Sequence, residues 1–236
     1  TVNGHALHYL SRGGHGRPLV LLHGGGATPR DSFAKQMRAF AAGHRVIAPE
    51  QVGHGRTPAL PGPLSYTRMM EDTAALLGAL RLGPVDVVGF SDGGILALML
   101  AAHHPALVRR VVVSGANFSP DGVSEEAQAE TRARMKYPLA VDHGLRHEVS
   151  FDDKLMRLWA GSPTAQELSP ALLSRIKRRV LVMASDHDVI KMSHTFALYD
   201  ALPDARLWIL PNTSHSTFSE RPTWVNTEVL AFLDAP

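Results

Sequence analysis

Short apolar runs recur along this chain, each bounded by glycine, proline or polar clusters, and stretches with helical spacing fill the intervals between them. Pro18 to Leu22, Arg45 to Ala48, Val85 to Val88, Arg110 to Val113, Arg179 to Ala184 and Arg206 to Leu210 read as buried strands. Phe33 to Ala42, Tyr66 to Leu82, Gly94 to His104, Ser193 to Leu202 and Trp224 to Leu233 read as helices. Leu7 to Leu10 reads as a short hairpin strand ahead of a glycine-rich turn at Gly13 to Gly16. Strand and helix alternate as in βαβ units around a mostly parallel sheet, so the fold class is α/β.

The alternation breaks once. From Phe118 to Ser174 no strong strand appears, while Glu125 to Met135, Asp152 to Trp159 and Ala165 to Ile176 are helical in composition. Residues 118–178 therefore read as a small helical cap inserted into a core formed by residues 1–117 and 179–236. Repeats and low-complexity segments are not evident.

At 236 residues, 44% hydrophobic and 19% charged, the chain suits one α/β domain with a large core rather than a disordered or fibrous polymer. Its net charge of +2 implies no nucleic-acid partner. The densest basic run, Arg175 to Arg179, is expected to cap the end of a helix. There is no cysteine, which removes disulfides, thiolate metal sites and a cysteine nucleophile. No apolar stretch approaches membrane-spanning length, and a cytoplasmic location with no membrane partner is expected.

Chemistry concentrates at Gly89-Phe90-Ser91-Asp92-Gly93, a G-x-S-x-G between an apolar strand and an apolar helix. That placement forces the serine into a strained turn with its hydroxyl exposed, which makes Ser91 a candidate nucleophile. A serine hydroxyl needs a base to take its proton, and the base needs a third group to hold its tautomer. His215, in the polar loop after the Arg206 to Leu210 strand, is the expected base. The loop Ser185-Asp186-His187-Asp188 supplies the acid, with Asp188 the choice and Asp186 the reserve. Developing negative charge calls for backbone donors. The Asp92 amide is one, and Gly25 of His23-Gly24-Gly25-Gly26 is the expected other. Gly24, Phe90 and Asp92 are expected to contact substrate. A phosphate-binding reading of the glycine turn fails, because Pro29 stands where G-x-G-x-x-G needs glycine and no G-K-S/T follows.

These motifs resemble the α/β-hydrolase superfamily over nearly the whole length: the HGGG-type turn at His23, the loop Glu50-x-x-Gly53-His54-Gly55-Arg56-Thr57, the elbow at Ser91, the Asp188 loop and His215. Glu50 stands where the family usually has aspartate, which touches loop anchoring only. Serine rather than aspartate at the elbow favours acyl transfer to water. The resemblance implies a serine hydrolase acting on a small carboxylic ester through an acyl-enzyme, with no cofactor, as a monomer or homodimer. Lactone, thioester or α-amino-acid ester hydrolysis is the alternative on the same triad, and a hydrolase-like receptor with little turnover is the alternative from another class. Gly89 to Asn117 is similar to the valacyclovir hydrolase group of α-amino-acid ester hydrolases. In that group the carboxylate after the serine holds a substrate ammonium, while the other reading turns the Asp92 side chain inward to a backbone amide.

His143 and His147 have the spacing of a two-histidine metal site, but Gly144 between them and the lack of an obvious third ligand leave no metal expected. His103 and His104 are expected to meet terminal helix carbonyls. The aromatic residues Phe118, Tyr137, Phe151 and Trp159 suit either an acyl pocket or packing of the cap on the core.

Overall fold

The computed structural model describes residues 1–135, 149–161 and 168–236. Among these residues seven strands form one sheet in the order β1-β3-β2-β4-β5-β6-β7: β1 (Tyr9–Arg12), β2 (Arg17–Leu22), β3 (His44–Pro49), β4 (Val85–Phe90), β5 (Val108–Ser114), β6 (Arg179–His187) and β7 (Ala205–Ser214). β1 runs antiparallel to β3, and every other pairing is parallel. The expected hairpin does not form. The Gly13 to Gly16 turn instead carries the chain past the start of β3, where Gly16 lies against the Gly43 carbonyl, so β3 comes between β1 and β2.

Both faces of the sheet are covered. Val20, Val87, Val111 and Val182 join the core on one face, while Leu21, Val88, Val112 and Met183 join that on the other. This explains why the strands read as continuous apolar runs. The first face carries α3 (Tyr66–Ala79) and α4 (Asp92–His103), and the second carries α1 (Pro29–Phe33), α2 (Met37–Phe40) and, near the C-terminus, α9 (Thr217–Glu220) and α10 (Pro222–Asp234). α8 (Met192–Ala201) links β6 to β7. The expected helix from Phe33 to Ala42 is two short ones. α1 begins earlier, at Pro29, because Asp31 accepts from the Thr28 amide and hydroxyl at 2.8 and 2.7 Å.

Between β5 and β6 lie α5 (Glu125–Arg134), α6 (Phe151–Trp159) and α7 (Pro170–Leu173). Tyr137, His143 and His147 fall outside the described residues. Of the basic run, Lys177 donates to the Ser174 carbonyl just past α7, Arg178 to Pro105, and Arg179 pairs with Asp204. His104 faces Glu71 at 3.1 Å rather than a helix carbonyl, since the end of α4 lies beside α3. Among the described residues no helix is long and apolar enough to cross a membrane.

Candidate active site

The sequence order reverses direction between β2 and β4, and loops at the carboxyl ends of strands flanking such a point form a natural crevice. Ser91, Asp188 and His215 each directly follow a strand, β4, β6 and β7 respectively, and the His23 to Gly26 turn follows β2. All four loops therefore open on one edge.

Ser91 sits at φ 53°, ψ −120°, the left-handed side that a side chain avoids. Such a backbone costs about 1–3 kcal/mol and persists only where its surroundings enforce it. Here they do: the Ser91 amide donates to the Ser114 carbonyl at 2.8 Å, and its own carbonyl accepts from the Gly94 amide at 2.8 Å to start α4. Close approach demands the flanking glycines, because a Cβ at Gly93 would overlap the Leu22 carbonyl. The Asp92 amide, first in α4, has no intrahelical acceptor.

His215 Nδ1 lies 2.6 Å from Asp188 Oδ1, which also accepts from the Ile190 amide at 3.1 Å. Burial alone would raise the Asp188 carboxyl, yet the His215 hydrogen bond and charge outweigh it and hold the group below the usual carboxylate range. Asp186 is exposed and accepts instead from the Asn212 and Thr213 amides at 2.8 and 3.1 Å, which shapes the turn within β7. The imidazole rests over Gly115, where a Cβ would come within 2.6 Å of Cε1, and against Phe90 at 5.1 Å between centroids. Behind it, the Ser114 and Thr217 hydroxyls share a hydrogen bond of 2.8 Å that ties β5 to α9. Phe90, next to Ser91 along the chain, and Gly115, next to the Ser114 that accepts the Ser91 amide, thus both border His215.

The glycine turn is held from three sides. Gly24 packs on the Phe90 ring and donates its amide to Ser32 Oγ at 3.2 Å. His23 places Nδ1 2.8 Å from the Gly24 carbonyl and accepts from the Gln51 amide at Nε2, 3.0 Å away. His54 accepts from the Gly26 amide at Nε2, 3.0 Å, with Nδ1 3.1 Å from the Val52 carbonyl. These partners require both imidazoles to be neutral with the proton on Nδ1. Burial, then the neighbouring His54, pushes the His23 pKa from 6.5 to about 4, and burial lowers that of His54. Glu50 anchors its own loop by accepting from the Arg56 amide at 2.5 Å.

The Asp92 side chain turns inward to aromatic side chains rather than to a backbone amide. Its Oδ1 accepts from the Tyr66 hydroxyl at 2.9 Å, and Trp159 Nε1–H reaches both oxygens at 3.1 and 2.9 Å. Burial raises its pKa, and the two hydrogen bonds offset this only in part. Gly25 fits into the same corner, where a Cβ would lie 2.7 Å from Trp159 Cζ2 and closer still to Asp92 Oδ2. Sequence reasoning assigned no role to Tyr66, Ser32 or His54. His54 lies within the Glu50 to Thr57 loop motif, whereas Tyr66 and Ser32 carry no local signal. Among the described residues no group of three histidine, aspartate or glutamate side chains is placed to hold a metal.

The family model described as the alpha/beta hydrolase family matches residues 19–228. BpoC of Mycobacterium tuberculosis H37Rv, a non-heme bromoperoxidase by name, is 30% identical over 250 residues, spanning 93% of this chain and 94% of that one. Human serine hydrolase BPHL is 26% identical over 232 residues, covering 92% and 79%. The crystal structure of the enol-lactonase from Burkholderia xenovorans LB400 matches with a TM-score of 0.79 at 25% identity, covering 99% and 98%.

Proposed function

Because the chain belongs to the alpha/beta hydrolase family, we propose that it is a serine hydrolase cleaving a small carboxylic ester through an acyl-enzyme on Ser91. Membership supports hydrolysis as the reaction class, and the site geometry supports the finer reading. Its main support is the 2.6 Å contact between His215 Nδ1 and Asp188, which leaves Nε2 as the ring's free base, together with the strained backbone of Ser91 on the loop after β4.

In this reading Ser91 Oγ attacks the ester carbonyl while His215 Nε2 takes its proton, and Asp188 holds the tautomer and balances the imidazolium charge. The Gly25 and Asp92 amides receive the oxyanion. Collapse expels the alcohol with the proton from His215. Water then repeats the sequence, and the acid leaves. In the cap assigned to residues 118–178, α6 borders the crevice through Trp159, with Gly24 and Phe90 beside the acyl group.

An amino-ester substrate would place its ammonium at Asp92, where Trp159 already donates to both oxygens. Plain acyl esters are therefore favoured. Lactone hydrolysis is the second reading, since the enol-lactonase structure aligns along almost the full chain.

The test combines fluorophosphonate labelling with turnover of p-nitrophenyl acetate. Stoichiometric labelling and turnover, both lost in Ser91→Ala with the fold intact, are expected. Turnover that survives in Ser91→Ala, or absence of labelling in the wild type, overturns the assignment.

A further inference from the structure

α6 meets the glycine turn through two side chains and the neighbouring Gly53 loop through a third. Phe151, Leu155 and Trp159 are four residues apart and so share one face of α6. Each fills a notch left by a glycine: the Phe151 ring against Gly53, Leu155 Cδ2 3.3 Å from the Cβ position of Gly26, and Trp159 Cζ2 2.7 Å from that of Gly25. Phe151 also meets the His54 ring edge to face at 4.8 Å, and His54 in turn accepts from the Gly26 amide. The turn is pressed between the serine elbow and this stripe.

Trp159 adds a directional bond to the packing. Its Nε1–H spans both oxygens of Asp92, a buried carboxylate on the residue that follows Ser91. Hydrogen bonds from a neutral donor to a buried carboxylate are strong, and losing one leaves the charge under-satisfied. One indole therefore bears on both proposed oxyanion donors: its ring edge backs Gly25, and its N–H fixes the side chain of Asp92. We propose that Trp159 is a positioning residue for the oxyanion hole, so that α6 forms part of the catalytic apparatus rather than only a cover over substrate. This rests on the serine-hydrolase reading above, and it goes further by making transition-state stabilisation depend on a helix outside the α/β core.

A preorganised donor acts on the transition state much more than on bound substrate, so its displacement lowers kcat and leaves KM nearly alone. Trp159→Phe keeps most of the ring against Gly25 and removes the N–H, while Trp159→Ala removes both. With rates normalised to fluorophosphonate-titrated sites, Trp159→Phe should lower kcat on p-nitrophenyl acetate about 10-fold and Trp159→Ala about 100-fold, the range expected when an oxyanion donor is misplaced. KM should stay within about twofold. Affinity for a trifluoromethyl ketone, whose adduct with serine carries the oxyanion, should fall by the same factor as kcat/KM. Circular dichroism checks the fold, and Trp159→Phe alone decides the matter if Trp159→Ala does not fold. Unchanged kcat in Trp159→Phe, or a loss confined to KM with ketone affinity intact, overturns the proposal while Ser91-dependent turnover stands. Turnover that persists in Ser91→Ala overturns the underlying reading instead, so the two failures are distinguishable.

Discussion

Replacing His23 with glutamine tests whether the glycine turn depends on a neutral imidazole. In the folded protein His23 donates from Nδ1 to Gly24 and accepts at Nε2 from the Gln51 amide, and its pKa lies at about 4 instead of 6.5. Between those values the unfolded chain binds a proton that the folded chain refuses, so stability rises with pH across this window and falls on acidification. The whole contribution is present above pH 6.5 and is lost as pH drops towards 4. A difference of roughly 2.5 pH units corresponds to about 3 kcal/mol in full, of which about 2 kcal/mol is gone by pH 5. Protonation would also set an N–H against the Gln51 N–H and loosen the turn that carries Gly25. Glutamine can still accept from Gln51 but does not titrate. Urea unfolding at pH 7.5, 6 and 5 should therefore show wild type losing about 2 kcal/mol more than His23→Gln between the extremes, whatever the variant's offset at pH 7.5. Parallel declines, agreeing to within about 0.5 kcal/mol, would refute the reasoning.

The two candidate acids should separate in a mutational test. Asp188→Asn should cut kcat on p-nitrophenyl acetate by about 10³- to 10⁴-fold because the amide favours the wrong imidazole tautomer, while Asp186→Asn should stay within about threefold of wild type. Equal effects would count against the assignment. Gly93→Ala should lower stability by at least about 3 kcal/mol, or about 6 °C or more in Tm, because the new methyl overlaps the Leu22 carbonyl, a backbone atom at the end of the central strand β2. A Tm within about 2 °C of wild type would show that the elbow can relax.

Much of the architecture was legible because its signals are local. Strands buried on both faces, such as Val85 to Val88, read as apolar runs, and the glycines around Ser91 mark the one place where strand and helix must nearly touch. Asp188 could be chosen over Asp186 but not separated from it, since both end the same strand. What divides them is the arrival of His215 from 27 positions away. The Asp92 side chain escaped for the same reason. Its donors, Tyr66 and Trp159, lie 26 and 67 positions distant, and an aromatic residue carries no mark of the carboxylate it will meet. Trp159 therefore read equally well as pocket wall or packing. The β1 pairing was missed because a glycine-rich turn suggests a hairpin locally, whereas the partner of β1 lies on the far side of that turn.

Two carboxylates near one imidazole could have competed for it, and their surroundings prevent this. Asp188 meets His215 directly, and that contact holds its pKa down, so its charge is available to the ring. Asp92 is buried as well, its pKa is pushed up, and both oxygens are engaged by neutral donors from α3 and α6. A carboxylate bound in this way is suited to anchoring and poorly suited to orienting a base. Gly25 follows from that division of labour: the turn must pass so close to the Asp92 anchor that no side chain fits between them. In the proposed mechanism the backbone amide of Gly25 is then what the turn offers to the developing oxyanion.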